Sequence, residues 1–132
     1  MEYFFDRNLR TEELDSLVES VGWEVRGSKL WKELLTHFSE GIVYLKDQGK
    51  LIGLIRGFPI GEEGFLLGDL VVHRDYQKKG LGTSLLNYLQ EQYKGRIFFL
   101  EAQPETVSFY EKNGFQKICD LVLGRVPMKL DY

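Results

Sequence analysis

The stretch VVHRDYQKKGLGTSLL, Val71 to Leu86, decides how the chain is read. An apolar run looks like the end of a buried strand, breaks into a polar turn with paired lysines and two glycines, and resumes as an amphipathic helix. A turn that only reverses the chain does not need that composition. A strand ending near His73 and a helix beginning near Gly82 bring unpaired backbone N–H groups to one point, where the helix macrodipole favours an anion. Gly80 and Gly82 remove side chains that would keep a phosphate from that backbone, Lys78 and Lys79 add positive charge, and Thr83 adds a hydroxyl. The stretch reads as a pyrophosphate cradle. The plainer alternative is a strand–helix turn with incidental glycines and solvated lysines.

Spacing narrows the ligand. The pattern is not GxxxxGK[ST], which excludes a nucleotide-triphosphate loop. A dinucleotide fingerprint needs a small residue where Leu85 stands, and its strand opens a parallel βαβ unit. The upstream residues predict a different arrangement. GIVYLK (41–46) and KLIGLIRGF (50–58) flank Asp47-Gln48-Gly49, a hairpin turn in which Gly49 takes positive φ. GEEG (61–64) then leads into FLLGDLVV, so three antiparallel strands precede the cradle.

The flanks complete the order. Tyr3 to Phe5 reads as an edge strand. Thr11 is placed to cap a helix with Leu14, Leu17, Val18 and Val21 at helical spacing and Gly22 at its end. Ser28 precedes a second amphipathic helix through Leu30, Trp31, Leu34, Leu35 and Phe38. Leu85, Leu86, Leu89 and Tyr93 line one face of the helix after the cradle. RIFFLEA (96–102) is a buried strand, Pro104 opens a short helix closed by Asn113-Gly114, and VLGRVPMKL (from Val122) is a last strand with Pro127 at an edge or bulge. The predicted order is β-α-α-β-β-β-α-β-α-β-β.

At 132 residues the chain is expected to form one domain, 1–132, with enough core to need no disulfide. The single Cys119 excludes an internal disulfide and a multi-cysteine zinc site, and no metal is expected. A net charge of −3 argues against a broad nucleic-acid surface. No apolar run suits a membrane span, and MEYFFDRNLR lacks a signal-peptide pattern, so a cytoplasmic location is expected.

A second constellation, FLEAQPETVSFYEKNGF (99–115), joins a strand, a short helix and an Asn-Gly-Phe ending. With YQKKGLG it resembles the GNAT superfamily of acyl-CoA-dependent N-acetyltransferases. The family's phosphate motif, Q/R-x-x-G-x-G/A, is met at Gln77, Gly80 and Gly82. Its second signature, a tyrosine followed by three variable residues and Gly-Phe, is met at Tyr110, Gly114 and Phe115. Arg74 stands where the family often has proline, Lys78 where glycine is usual, and Gln103 where many members carry an asparagine that contacts the cofactor. The opening YFF, the VGW at 21–23 and the LGDLVV strand look nearest to small members resembling arylalkylamine acetyltransferases.

The resemblance implies an α/β (α+β) fold with a mixed, mostly antiparallel sheet splayed between its fourth and fifth strands and flanked by helices. Acetyl-CoA would lie in that opening, with no metal. Backbone groups of Leu70, Val71 and Val72 would pair with pantetheine. The turn of Gln77, Lys78, Lys79, Gly80, Leu81, Gly82 and Thr83 would hold the pyrophosphate, and Gln103 and Tyr110 would touch the cofactor. A primary amine of a small molecule would attack the thioester directly. The partners implied are acetyl-CoA and the amine acceptor, without nucleic acid or membrane; a homodimer is compatible with a family in which dimers are common.

Protonation sets the chemistry. An alkylamine of pKa about 10.4 must give up its proton first, which costs about 4 kcal/mol at neutral pH. Asp69, Glu101 and His73 are the candidate bases, acting through ordered water; Asp69 comes first because it precedes the cofactor-contacting segment. Its other reading is a strand-end carboxylate bound to backbone. A phenol is a weaker acid than a thiol, so Tyr110 is expected to donate a hydrogen bond to the departing sulfur rather than transfer its proton. Trp23, Trp31, Phe38, Tyr44, Phe58 and Phe65 offer aromatic surface to an acceptor, although most are expected in the core. Rival readings are a peptide N-acetyltransferase and a non-catalytic acyl-CoA-binding module.

Overall fold

The computed structural model describes residues 1–131. Its elements run β1 (Glu2–Phe4), α1 (Thr11–Ser20), α2 (Gly27–His37), β2 (Gly41–Asp47), β3 (Lys50–Ile60), β4 (Gly64–Val72), α3 (Leu81–Gln92), β5 (Ile97–Ala102), α4 (Val107–Lys112), β6 (Gln116–Lys117) and β7 (Val126–Leu130), with short 3-10 turns at Arg74–Tyr76 and Pro104–Thr106. This is the predicted order. The strands form one seven-stranded sheet in the order β1-β2-β3-β4-β5-β7-β6, antiparallel except at β4–β5.

Local details differ from the expectations in three places. Thr11 is the first residue of α1, and the helix is capped instead by Glu13, whose carboxylate accepts the Arg10 N–H at 2.8 Å. Ser28 lies inside the first turn of α2, and Asp15 of α1 supplies the cap by accepting the Arg26 and Gly27 N–H groups at 2.9 and 3.2 Å. Residues 122–125 form a tight hairpin turn in which Val122 and Arg125 exchange hydrogen bonds, so the last strand starts only at Val126.

The period of two along each strand sends alternate residues to opposite faces. Val43, Leu45 and Ile55 face α3, whose Leu85, Leu86 and Leu89 are fully buried; Ile42, Tyr44, Leu54 and Val71 face α1 and α2, which contribute Leu14, Leu17, Val18 and Trp31. Each buried leucine contributes about 1.5–3 kcal/mol relative to exposure. The alternation is broken once in β3, where Leu45 pairs with Gly53 and Lys46 with Leu51. Ile52 is the extra residue, and both it and the bare face of Gly53 turn toward α3, where a Cβ on Gly53 would stand 3.0 Å from Leu85.

A second bulge shapes the functional half. The β3–β4 register steps from Arg56↔Asp69 to Gly57↔Leu67, which leaves Gly68 unpaired. A bulge bends and twists its strand. The bend coincides with a parting: β4 pairs with β5 only through Gly64↔Ile97, Phe65↔Phe98 and Leu66↔Phe99. From Leu67 onward β4 has no strand on that side, while β5 continues against β7 to Ala102.

Gly57 shows how tightly this bend is packed. A Cβ there would run into the backbone carbonyl of Leu66 and the ring of Phe65. Neither the carbonyl nor the buried ring can move aside, whereas the Leu85 methyl beside Gly53 can. Gly57→Ala is therefore expected to cost about 3 kcal/mol, and Gly53→Ala clearly less. Equilibrium urea denaturation of both variants measures the order.

Candidate active site

Two clefts enter the opening from opposite sides. The first, of about 600 Å³, is lined by Leu70 and Val72 of β4, by Gln77, Lys78, Gly80, Leu81, Gly82 and Thr83 of the turn and α3, and by Ser108, Phe109 and Lys112 of α4. The second, of about 670 Å³, lies between the free arm of β4, the end of β5 and residues 22–26 with Leu30. Both clefts are lined by Leu70, Thr106 and Tyr110. That shared surface is where groups bound on the two sides can meet.

The turn is built as its sequence suggests, with one refinement. Gly80 has φ +79° and caps α3 from the left-handed region; a side chain there would meet only open space, so its value is conformational. Gly82 is different: a Cβ would sit 3.2 Å from Phe109, so its bareness lets α4 approach α3. Lys78 adopts φ +63°, which explains why glycine suits that position; a lysine costs about 1–2 kcal/mol there. Gln77 Nε2 donates to the Val72 carbonyl at 3.0 Å and ties the turn to the end of β4. Lys79 is not among the lining residues, and its Nζ lies 5.4 Å from the centre of the Tyr76 ring.

The ladder directs the backbone of the free arm. His73 N–H bonds to Ile52 O of β3 at 2.7 Å, and an antiparallel ladder alternates the sides to which successive peptide groups point. Val71 therefore faces β3, while Leu70 and Val72 face the opening. The Val71 side chain is buried against α1 and α2. Val71 thus offers neither backbone nor side chain to the cleft, and the expectation that it contacts a ligand is corrected.

Tyr110 is 9% exposed, with its ring against Phe109 and Phe115. Burial and, secondarily, the charge of Asp69 push its phenol up to about 12. It stays protonated through the neutral range. Among the described residues its hydroxyl has no hydrogen-bond partner in the protein.

Asp69 is placed differently from its expected part. Its Oδ2 accepts Arg26 Nη1 and Arg56 Nε, both at 2.7 Å, and its Oδ1 accepts Arg26 Nη2 at 3.0 Å. Burial pushes its carboxyl pKa up, but the hydrogen bonds and positive charges of the two guanidiniums outweigh burial and hold it below the ordinary value. Both oxygens are engaged by permanent cations, which makes a poor proton acceptor. The reading of Asp69 as the base is corrected for that reason. His73 lines neither cleft, and its Nδ1 accepts the Asp75 N–H at 3.1 Å. Glu101 is exposed in the second cleft beside Gln103, and among the described residues its carboxylate has no partner.

Of the aromatic residues singled out, Trp23 alone lines the second cleft; Trp31, Tyr44 and Phe65 are core, and Phe38 packs on Phe58 at 5.5 Å. Sequence reasoning missed Arg26, Thr106, Phe109 and Lys112. Arg26 and Lys112 carry no local pattern. Thr106 and Phe109 flank the Tyr110 signature and could have been found by placing one helical turn before it.

Residues 26–117 match the family model described as acetyltransferase (GNAT) domain. The chain is 35% identical over 127 residues to the uncharacterized N-acetyltransferase ycf52 of Pyropia yezoensis, covering 90% of this chain and 72% of that protein. It is 31% identical over 116 residues to an uncharacterized N-acetyltransferase ycf52-like protein of Prochlorococcus marinus, covering 83% of this chain and 64% of that one. The same fold occurs in an aminoglycoside 6'-N-acetyltransferase complexed with coenzyme A, with a TM-score of 0.79 and 21% identity over 98% of this chain and 94% of that one. It also occurs in the ribosomal-protein-S18-alanine N-acetyltransferase from Escherichia coli, with a TM-score of 0.79 and 17% identity over 98% and 92% of the two chains.

The ion-paired state of Asp69 makes a prediction about pH. A carboxyl whose folded pKa is depressed stabilises the fold above its unfolded pKa, and that contribution is lost as pH falls toward the folded value. Asp69→Asn removes one partner of two guanidiniums and is expected to cost about 3–5 kcal/mol at pH 7. The cost should shrink below about pH 4, where the unfolded chain's carboxyl takes up a proton while the folded one is still ionised. Urea midpoints across pH 3–7 test both the size and the sign.

Proposed function

The chain belongs to the GNAT acetyltransferase family, and from that premise we propose that it moves an acetyl group from acetyl-CoA to the primary amine of a small molecule by direct attack, with both substrates bound together. The observation that supports this reading is the meeting of two clefts at Leu70, Thr106 and Tyr110. A single cleft would suit a binding module. Two that share a wall suit a reaction between two bound molecules.

The first cleft fits a CoA-like ligand on two observations. The Leu70 peptide groups and the Val72 N–H face an edge that no strand covers, which suits an extended arm bearing amides. The N-terminus of α3, reached through Gly80, lies in the same cleft with Lys78, Thr83 and Lys112, which suits phosphate. When bound, acetyl-CoA supplies an electrophilic thioester carbonyl and a thiol leaving group.

The chain's own groups would do the rest. The Leu70 N–H is a fixed donor in the shared wall, available to polarise a carbonyl oxygen. Tyr110 Oη keeps its proton at neutral pH and is a hydrogen-bond donor in the same wall, suited to a sulfur gaining negative charge. A proton must leave the acceptor nitrogen as the N–C bond forms and the C–S bond breaks. Glu101, exposed on the acceptor side, or water beside it, is the available recipient.

Thiol release from acetyl-CoA against panels of small primary amines and of peptides tests the proposal. Release with small amines supports it. Release only with peptides moves the acceptor to a polypeptide, and CoA binding without release with either panel leaves a non-catalytic module.

Two variants test the assigned parts. Gly82→Asp brings a negative charge to the start of α3 and should weaken CoA binding at least tenfold by calorimetry, in protein that retains its far-ultraviolet dichroism. Tyr110→Phe keeps the ring packing and removes one donor. It should lower kcat about tenfold, equivalent to about 1.4 kcal/mol, with CoA affinity unchanged.

A further inference from the structure

The second cleft has one wall that is not part of the sheet, residues 22–30, and among the described residues Arg26 is the one whose side chain hydrogen-bonds from that wall to the reacting strand. The Arg26 backbone N–H donates to Asp15 Oδ1 of α1 at 2.9 Å. Its guanidinium lies 4.6 Å from the centre of the Trp31 ring and 5.8 Å from that of Trp23. Its two Nη groups form a fork on Asp69 of β4 at 2.7 and 3.0 Å. Asp69 is itself fixed from behind by Arg56 Nε, and Arg56 by the Phe38 carbonyl at 3.0 Å. Trp31 is fixed by the bond from its Nε1 to Asp15 at 2.7 Å.

Asp69 and Trp31 are buried and Asp15 is held by a second bond, while the Arg26 side chain itself remains 22% exposed on the cleft. Two aspartates balance two arginines, so the cluster leaves no surplus charge to hold an ionic substrate. A planar fork locked at both ends is a device of position. Asp69 stands next to Leu70, which lies in the wall shared by the two clefts.

We propose that Arg26 is a positioning residue for the acceptor: its fork on Asp69 and its stacking on Trp31 fix where the 22–30 wall stands relative to Leu70 and Tyr110. An acceptor held by that wall is then presented to the shared surface at a set distance. The inference rests on the acetyltransfer reading for its kinetic part and on the structure alone for its mechanical part.

The test compares wild type with Arg26→Lys, which keeps the charge and loses the fork, and with Arg26→Ala. Butylamine and 2-phenylethylamine serve as probe amines. The KM for the amine should rise at least tenfold in both variants, with the CoA dissociation constant by calorimetry within twofold of wild type. Added guanidinium chloride at millimolar concentration should lower the amine KM of Arg26→Ala and leave that of Arg26→Lys unchanged. A uniform loss of stability cannot produce that split. Unchanged amine KM, or equal loss on the amine and CoA sides, overturns the proposal.

Hydrogen exchange decides independently of turnover. In Arg26→Lys the amides of 22–30 should exchange at least tenfold faster, while those of Leu85–Leu89 keep the wild-type rate; unchanged exchange at 22–30 overturns the proposal whatever the enzyme does. If Arg26→Ala does not fold, Trp31→Phe, which loses the Nε1–Asp15 bond and part of the ring surface on which Arg26 stacks, replaces it and should give a smaller change in the same direction. Wild-type protein that acetylates neither amine counts against the acetyltransfer reading, and the exchange result then decides this inference by itself.

Discussion

The guanidinium of Arg56 occupies the space that a side chain on Gly68 would fill, and the site is arranged around that contact. A Cβ at Gly68 would lie 2.7 Å from Arg56 Nη1. Arg56 can be buried at 6% exposure because Asp69, the residue after the bare position, turns in to meet it. Burying a guanidinium without such a partner would cost several kcal/mol. The extra residue at Gly68 bends β4, and within two positions of it β4 loses β5 as a neighbour. One small residue and one ion pair thus account for the opening, for the direction of Leu70 and for the anchor on which Arg26 forks.

The electrostatics of the site separate two acids that the sequence treats alike. Asp69 and Glu101 both stand near the mouth of the opening. Asp69 is buried among guanidiniums and held as an anion, with three hydrogen bonds accepted on its two oxygens. Glu101 is exposed and unencumbered among the described residues. Tyr110 is affected by both burial and the Asp69 charge, which keeps it a donor through the neutral range. Of the two acids, the exposed Glu101 is therefore the one free to take up a proton.

Much of this was readable before any coordinates. The element order follows from hydrophobic period and from turns such as Gln48-Gly49, where both residues take positive φ. The cradle was readable because backbone geometry there demands glycine: Gly80 is left-handed, and even the lysine at 78 sits where glycine belongs. What escaped was long-range. Asp69 and Arg26 are 43 positions apart, and no pattern in either neighbourhood announces their fork. The cap of α2 came from Asp15, eleven residues before the N–H that it accepts, while the local signal pointed to Ser28. Local chemistry predicts local structure, and charge partners brought together by the fold lie outside its reach.

The parting of the sheet has a consequence for how the molecule holds together. Three residue pairs are all that join the β1–β4 ladder to the β5–β7 ladder as neighbouring strands. Beyond them the halves are linked by the shared core beneath α3 and by side chains such as Tyr110. Such a sheet is two cooperative units with a thin seam, and the seam is the place where partial opening costs least. A molecule lying along the free edge of β4 and touching α4 would bridge both units. Its binding energy would then appear as added coherence between the halves, growing by about 1.4 kcal/mol for each tenfold excess over its dissociation constant. The same gap that admits a ligand gives the folded state stability to gain from holding one.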